Sequence, residues 1–177
     1  MNDLLLLATL LAGPQHGYAL KKRIGLMTGH GQMHNNLVYP LLKRFVVQGW
    51  VSCRTVPGER GQTRERYALT AKGKQELQRR LREFSAKDAA SEDAFHLRVG
   101  LFAFLDADAR DSILASREEW LQRRGNILAN LATAMDLGEW GGVVVAHLRS
   151  RIQAELQWTA ELRGKVPRRG NRKQIEP

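Results

Sequence analysis

Apolar residues recur at helical spacing through the first fifty residues of the chain. A leucine-rich run over residues 2–12 ends at Gly13-Pro14, a pair of residues that stops helices. Over residues 17–27, three apolar side chains lie at i, i+4 and i+7, and basic residues occupy the other faces. A third apolar stripe, over residues 35–48, begins at two asparagines suited to cap a helix N-terminus. The pattern predicts three short helices, with a glycine-rich loop between the second and the third.

Two segments that favour β-strands follow the third predicted helix. They span Trp50–Val56 and Arg64–Leu69, and a turn that contains glycine separates them. Thr70 is placed to cap a fourth helix, in which apolar residues recur at intervals of three and four. The order of three helices, a hairpin and a further helix is that of a winged helix-turn-helix.

The second half of the chain is predicted to be almost entirely helical. Residues 95–105 are expected to form one apolar helix and residues 109–134 a longer one. The longer helix carries two apolar series spaced by seven residues: Ile113, Trp120 and Ile127, and beside them Leu114, Leu121 and Leu128. Such spacing is typical of a helix that packs lengthwise against another helix. Glycines over residues 138–142 are expected to interrupt the pattern before a last helix that reaches Leu162.

The sequence therefore predicts an α+β fold that is mainly α-helical with a small β-hairpin. We expect a winged helix-turn-helix domain over residues 1–87 and a helical domain over residues 88–163. Residues 164–177 are rich in Pro, Gly and Arg and are expected to form a basic, disordered tail.

The charge of the chain is large and unevenly distributed. The formal net charge is +10 at pH 7. Residues 1–87 hold 15 basic and 5 acidic residues, whereas residues 88–164 hold 8 basic and 12 acidic residues. A basic surplus of this size favours a polyanionic partner. The asymmetry predicts a nucleic-acid-binding module joined to a module with a different partner.

Several other classes of protein are disfavoured by the sequence. The single cysteine, Cys53, excludes an internal disulfide and is compatible with a reducing cytoplasm, the predicted location. The leucine-rich start is much shorter than the roughly 20 apolar residues of a membrane span, so no membrane partner is expected. His30 and His34 lack nearby partner ligands, which disfavours a metal site. The sequence contains no pattern typical of a catalytic nucleophile, a phosphate loop or a carboxylate pair, so neither an enzyme nor a cofactor is predicted.

The predicted third helix carries residues suited to contact DNA. In helix-turn-helix docking the N-terminal end of this helix enters the major groove. Asn35, Asn36 and Tyr39 lie at that end and offer amide and hydroxyl groups for base edges. Lys43 and Arg44 follow and are suited to phosphates. Double-stranded DNA is therefore the predicted partner.

Further candidate DNA contacts lie on the predicted wing and the second helix. They are Arg60, Arg64 and Arg66 on the wing, and Tyr18, Lys21 and Lys22 on the helix. Arginine suits a wing because its planar guanidinium binds phosphate bidentately or enters a narrow minor groove. The basic residues of the second helix are equally compatible with a solvated face, and Tyr18 with the core.

Five short motifs resemble the PadR-type family of transcriptional regulators in order and spacing. They are HGYALK at 16–21, LVYPLLKR at 37–44, GWV at 49–51, the segment 61–67 and LTAKG at 69–73. The run from Ala146 to Leu162 is similar to the last, dimer-forming helix of that family. The resemblance covers residues 4 to about 163.

The resemblance implies a repressor-like homodimer whose C-terminal helices are exchanged or packed between subunits, so that residues 88–163 form the dimerisation domain. The expected dimer contacts are Ile113, Trp120, Leu121, Val144, Leu148, Ile152 and Leu156. Effectors of the family are often small aromatic or cationic compounds. Trp140, His147 and Trp158 are candidates for an effector pocket, although such rows of aromatic residues are more often typical of core packing. A two-fold dimer of this kind predicts a palindromic operator.

A winged-helix module that binds another protein instead of DNA is the alternative function. The basic N-terminal half argues against it. Reversal of the wing charges would separate the two functions, because only DNA binding requires a positive wing.

Overall fold

The computed structural model describes residues 2–28, 35–57 and 62–166, and its contacts divide the chain into two compact units. The first covers residues 1–83 and the second begins at Phe84, three residues before the end of the predicted N-terminal domain. The described residues contain eight α-helices and one small antiparallel sheet, which confirms the predicted fold class. Arg60, His30, His34 and most of the predicted tail lie outside these residues.

In its described residues, the N-terminal unit contains four α-helices and a sheet of strand order β1-β3-β2. The helices are α1 (Asn2–Thr9), α2 (Gly17–Thr28), α3 (Asn35–Val47) and α4 (Ala71–Arg82). The strands are β1 (Gln15–His16), β2 (Val51–Pro57) and β3 (Thr63–Leu69). Strand β1 is absent from the sequence prediction, because two residues are too few to show an alternating pattern. The hairpin of β2 and β3, hereafter the wing, is confirmed.

The leucine-rich run forms the centre of the N-terminal core. Leu6 and Leu7 of α1 are 1% and 0% exposed, and the neighbouring leucines are nearly as buried. Because α1 is apolar on all sides, the other helices must cover it on more than one face. The side chains that complete the core are Leu20, Ile24, Val38, Leu42, Phe45, Leu77 and Leu81.

A helix N-cap and a close backbone contact hold the start of α4 against the segment that follows α3. The Thr70 hydroxyl accepts a hydrogen bond from the Gly73 N–H at 3.0 Å and donates one to the Gly49 carbonyl at 2.7 Å. A Cβ atom at Gly73 would lie 2.0 Å from the carbonyl oxygen of Trp50. Gly73 therefore allows the two segments to approach more closely than any other residue would.

The described part of the C-terminal unit contains four further α-helices. They are α5 (Ala86–Ala90), α6 (Glu92–Val99), α7 (Ala107–Ala134) and α8 (Gly138–Lys165). The prediction of one helix over residues 95–105 is wrong. The α-helix ends at Val99, where Gly100 weakens it, and a 3-10 turn over Phe102–Phe104 follows.

The predicted interruption over residues 138–142 is also wrong. Gly138 has a φ of +60°, which glycine adopts without strain, and α8 begins there. Gly141 and Gly142 are helical, at a cost of about 1 kcal/mol each. The packing of α8 along α7 offsets this cost.

A buried ion pair joins three helices of the C-terminal unit. Arg117 of α7 is 2% exposed, and its Nε and Nη2 atoms donate to the two carboxylate oxygens of Glu155 on α8, both at 2.8 Å. Its Nη1 atom donates to the carbonyl oxygen of Ala89 in α5. The charge of Arg117 is thus fully compensated, as burial requires. No helix within the described ranges is long and apolar enough to cross a membrane.

Candidate nucleic-acid interface

Helix α3 exposes Tyr39 and Lys43 on the side away from its buried stripe. Val38 and Phe45 are 0% exposed, whereas Tyr39 is 38% exposed and Lys43 is exposed as well. Residues at i and i+4 share one face of a helix, so Tyr39 and Lys43 point the same way. Asn35 and Asn36 lie in the first turn of α3, and their side chains are outside the described part of the structure.

Tyr39 packs against the first residue of α2. A Cβ atom at Gly17 would lie 2.8 Å from Cε1 of the Tyr39 ring and 3.3 Å from its hydroxyl oxygen. The ring therefore occupies space that only a glycine leaves open. Gly17 belongs to the HGYALK motif at 16–21, and the close Tyr39 ring explains why a glycine suits this position.

Arg44 has an intramolecular partner, whereas the neighbouring Lys43 has none among the residues that the structure describes. Its guanidinium is hydrogen-bonded to the carboxylate of Asp3 in α1. The same Asp3 oxygen accepts a hydrogen bond from Nη1 of Arg80 in α4 at 3.0 Å. A phosphate contact by Arg44 stays a prediction, and it would compete with the ion pair to Asp3.

Three arginines of the wing lie on the same one of its two faces. Arg54 of β2 is directly opposite Arg66 of β3 in the strand register, and Val56 is opposite Arg64. Because alternate residues of a strand point to the same face, all three arginines lie on one side of the hairpin. Each of them is exposed. Arg54 is absent from the predicted DNA contacts, although strand alternation and a correct register would have identified it.

Glu65, the acidic residue in the described part of the wing, points to the face opposite the arginines. Glu65 accepts a hydrogen bond from the Tyr67 hydroxyl, and Tyr67 is 5% exposed. Burial and this hydrogen bond raise the pKa of Tyr67, and burial together with the Glu65 charge raises the pKa of Cys53. His16 of β1 adds a contact at this edge, with Nδ1 3.0 Å from the carbonyl oxygen of Glu65. The carboxylate is thereby kept away from the arginine face.

The remaining predicted DNA contacts lie on α2. Tyr18 is 65% exposed, so it is not part of the core. Lys22 is exposed and Lys21 is half-buried. The structure is compatible both with DNA contacts from these residues and with a solvated face.

The predicted dimer residues differ widely in exposure. Ile113 and Leu121 are each 1% exposed, because they pack inside the C-terminal unit itself. Val144 is 55% exposed. Trp120, Leu148, Ile152 and Leu156 are half-buried. The exposed and half-buried residues are those that remain available to a second subunit.

The three residues predicted for an effector pocket are not brought together within the chain. Trp158 packs against the rings of Phe95 and His96, with centroids at 5.7 and 5.3 Å. Trp140 is 76% exposed and lies eighteen residues earlier in α8, which is about 27 Å along the helix axis. His147 lies between them and is exposed. In the ranges that the structure describes, no group of three or more His, Cys, Asp and Glu side chains is arranged to hold a metal ion.

Comparisons with known proteins gave a match to one family model and to several solved structures. Residues 6–79 match the model of the transcriptional regulator PadR-like family. A transcriptional regulator from Thermoplasma acidophilum is 33% identical over 42% of this chain and 71% of its own, with a TM-score of 0.38. PadR of Bacillus subtilis was solved in complex with operator DNA. It is 19% identical over 93% of this chain and 98% of its own, with a TM-score of 0.46. The same protein in complex with p-coumaric acid is 18% identical over 93% and 97%, with a TM-score of 0.42. A comparison with curated proteins gave no match.

The family match runs from within α1 into α4 and includes α3 and the wing. It confirms the resemblance seen in the sequence motifs and the prediction that the protein is not an enzyme. Residues 6–79, which contain α3 and the described residues of the wing, belong to the PadR-like family of transcriptional regulators.

Proposed function

We propose that the protein represses transcription as a homodimer that binds a palindromic operator through α3 and the wing. The two α3 helices would read half-sites about one helical turn apart, or a multiple of it. A small aromatic or cationic effector would release the operator by binding better to a dimer whose α3 helices are wrongly spaced. The strength of this response is set by the difference in effector affinity between the two dimer shapes.

The arginine face of the wing is the observation that carries the proposal. Arg54 and Arg66 are directly opposite each other, and like charges in that position destabilise a sheet. The described acidic residue of the wing, Glu65, is engaged on the other face. A DNA backbone along the arginine face would relieve the repulsion and release bound counterions.

The exposed side of α3 supports sequence reading. Tyr39 packs against Gly17 and is 38% exposed, so its hydroxyl is suited to a base or phosphate contact. Lys43 lies one turn further along and is suited to a phosphate contact that sets the register. Asn35 and Asn36 remain the predicted base contacts at the N-terminal end of the helix.

A double substitution in the wing tests the proposal. We expect Arg54→Ala with Arg66→Ala to weaken binding to random duplex DNA and to lower the slope of log K against log salt by about 2, because each lost phosphate contact contributes about 1. Arg149→Ala removes the same kind of exposed charge from α8 and is expected to leave the slope unchanged. Fluorescence anisotropy over a series of salt concentrations measures both.

An unchanged slope in the wing variant would remove the wing from the interface. Wild-type protein that does not bind duplex DNA even at low salt would overturn the proposal and favour a protein-interaction module.

A further inference from the structure

We propose that Asp3 occupies Arg44 in place of a DNA phosphate and thereby restrains the binding of this protein to non-operator DNA. The carboxylate of Asp3 and the guanidinium of Arg44 form an ion pair between α1 and α3, hereafter the Asp3–Arg44 pair. The inference rests on the proposed DNA binding and adds to it a residue that sets specificity. Asp3 is absent from the DNA contacts that the sequence predicts.

The Asp3–Arg44 pair lies on the surface of the helix that is proposed to read DNA. Arg44 follows Lys43, and the two basic residues are about 100° apart around α3. The side chain of Arg44 is 48% exposed and that of Asp3 is 26% exposed. Arg44 is in the last turn of α3, and in homeodomains that end of the recognition helix contacts the DNA backbone. Arg44 is therefore accessible to a phosphate, and Asp3 would lie beside that phosphate.

Arg44 depends on Asp3 more than the second arginine on this carboxylate does. Among the described residues, Asp3 is the one ion-pair partner of Arg44. Arg80 donates from Nη1 to the same Asp3 oxygen at 3.0 Å. Its Nε also donates to Glu76 at 2.6 Å, and its guanidinium lies 4.9 Å from the ring centroid of Trp50. Loss of the Asp3 charge would therefore release Arg44 and leave Arg80 held by two other contacts.

The Asp3–Arg44 pair is weak enough to be exchanged for a phosphate. Ion pairs that are open to solvent contribute little to stability, because water screens their charges. Arginine binds phosphate bidentately, and DNA presents phosphates at close intervals. A phosphate at Arg44 must displace the Asp3 carboxylate or lie next to its like charge. The contact therefore costs more at Arg44 than at Lys43, which has no carboxylate partner among the described residues.

This cost falls mainly on non-operator DNA. Base contacts hold α3 in one register on an operator, so a phosphate is presented to Arg44 at a fixed position and displaces Asp3. Random duplex binds almost entirely through phosphates and fixes no such register, so Asp3 retains Arg44. A penalty on the wrong partner is a general source of specificity. Asp3 thus widens the difference in affinity between operator and random duplex.

Removal of the Asp3 charge tests the proposal on random duplex DNA. We expect Asp3→Asn to strengthen binding about 3- to 10-fold at about 50 mM salt, because one phosphate contact is gained, and to increase the magnitude of the slope of log K against log salt by about 1. Asp111→Asn is the matched control. It also removes a carboxylate that is paired with an arginine, Arg163 at 2.7 Å, and should leave the slope unchanged. Fluorescence anisotropy over a series of salt concentrations measures both.

Arg44→Ala in two backgrounds shows whether the effect of Asp3 passes through Arg44. In the wild type we expect this substitution to change binding to random duplex little, because Asp3 already occupies the arginine. In the Asp3→Asn background it should remove both the gain in affinity and the added slope. A gain that survives Arg44→Ala would come from the net charge of the protein and would overturn the proposal.

A purely structural role of Asp3 gives a different result. Asp3 links α1 to α3 and α4, so a role in folding alone predicts a lower urea midpoint for Asp3→Asn together with weaker or unchanged DNA binding. That combination would overturn the proposal. Asp3→Ser removes the same charge with a smaller side chain. It provides the second variant where Asp3→Asn does not fold, and we expect the same gain in binding.

The outcomes separate this inference from the proposed function. Wild-type protein that binds duplex DNA, with an unchanged slope in Asp3→Asn, would overturn the role of Asp3 and leave DNA binding standing. Wild-type protein that does not bind duplex DNA at low salt would overturn both. On an operator fragment, Asp3→Asn should strengthen binding less than on random duplex. Equal gains on the two DNAs would show that Asp3 does not set specificity and would overturn the proposal.

Discussion

At the scale of single residues, two positions of the N-terminal unit are suited to glycine because neighbouring atoms occupy the space of a side chain. At Gly17 the neighbour is the ring of Tyr39, whereas at Gly73 it is the backbone carbonyl of Trp50. A side chain can rotate away from an added methyl group, but the carbonyl belongs to the segment between α3 and β2 and cannot. The two positions therefore respond differently to the same change.

We expect Gly73→Ala to lower the free energy of unfolding of the N-terminal unit by about 1–3 kcal/mol or more, because the methyl group has no space. Gly142→Ala is the matched control, since an added Cβ there meets nothing within 4 Å and alanine favours the helix by about 1 kcal/mol. Urea denaturation measures both. An unaltered Gly73→Ala midpoint would show that α4 can move away from Trp50 at little cost.

The sequence could not predict which charged side chains form ion pairs with each other. Arg44 and Asp3 are 41 residues apart, and Arg117 and Glu155 are 38 apart. Neither pairing leaves a local pattern, because each depends on how whole helices pack. The exposed positions of Tyr39 and Lys43, by contrast, follow from the helical period of α3 alone.

At the scale of elements, α4 carries a charge cluster along its surface. Glu76 accepts hydrogen bonds from Nε of Arg79 at 2.9 Å and Nε of Arg80 at 2.6 Å. The hydrogen bond from Arg79 is the largest influence, and with Arg80 it lowers the pKa of Glu76 to about 2 against the opposing effect of burial. Arg80 also contacts Asp3, so the cluster links α4 to α1.

The cluster predicts a pH-dependent contribution to stability. The pKa of Glu76 is lower in the folded protein than its ordinary value of 4.5, so its contribution is complete above about pH 4.5 and is lost as the pH falls towards 2. We expect Glu76→Gln to be less stable than the wild type at pH 7, with a difference that shrinks at pH 3 and below. Urea denaturation across this pH range measures the difference.

Glu119→Gln is the control for this prediction. Glu119 is 68% exposed and 3.7 Å from Arg123, and such surface pairs contribute little. A difference between wild type and Glu76→Gln that does not change with pH would mean that the lost carboxylate acts through packing instead of charge.

Element boundaries were predictable where a local pattern set them. The period of apolar residues placed α2, α3 and α7 within a few residues of their observed ends. Strand β1 and the unbroken start of α8 were not predictable, because the first depends on pairing with β3 and the second on packing against α7. In both cases a tertiary contact outweighs the local preference of the sequence.

At the scale of the whole molecule, the chain separates into two units with different charges. The basic N-terminal unit carries α3 and the arginine face of the wing. The C-terminal unit carries exposed apolar residues of α8 such as Trp140 and Val144. The sequence predicts two domains for a related reason, because the basic surplus lies in the first half of the chain and the heptad spacing in the second.

We propose that the protein recognises a specific DNA sequence as a dimer. The most direct test of this proposal is a gel-shift titration of the DNA upstream of the protein's own gene, against random duplex competitor and at several salt concentrations. We predict tight binding that resists competitor, at a palindrome with half-sites about one helical turn apart or a multiple of it. Binding no tighter than to random duplex would contradict sequence-specific recognition at that site, and no binding at low salt would contradict DNA binding itself.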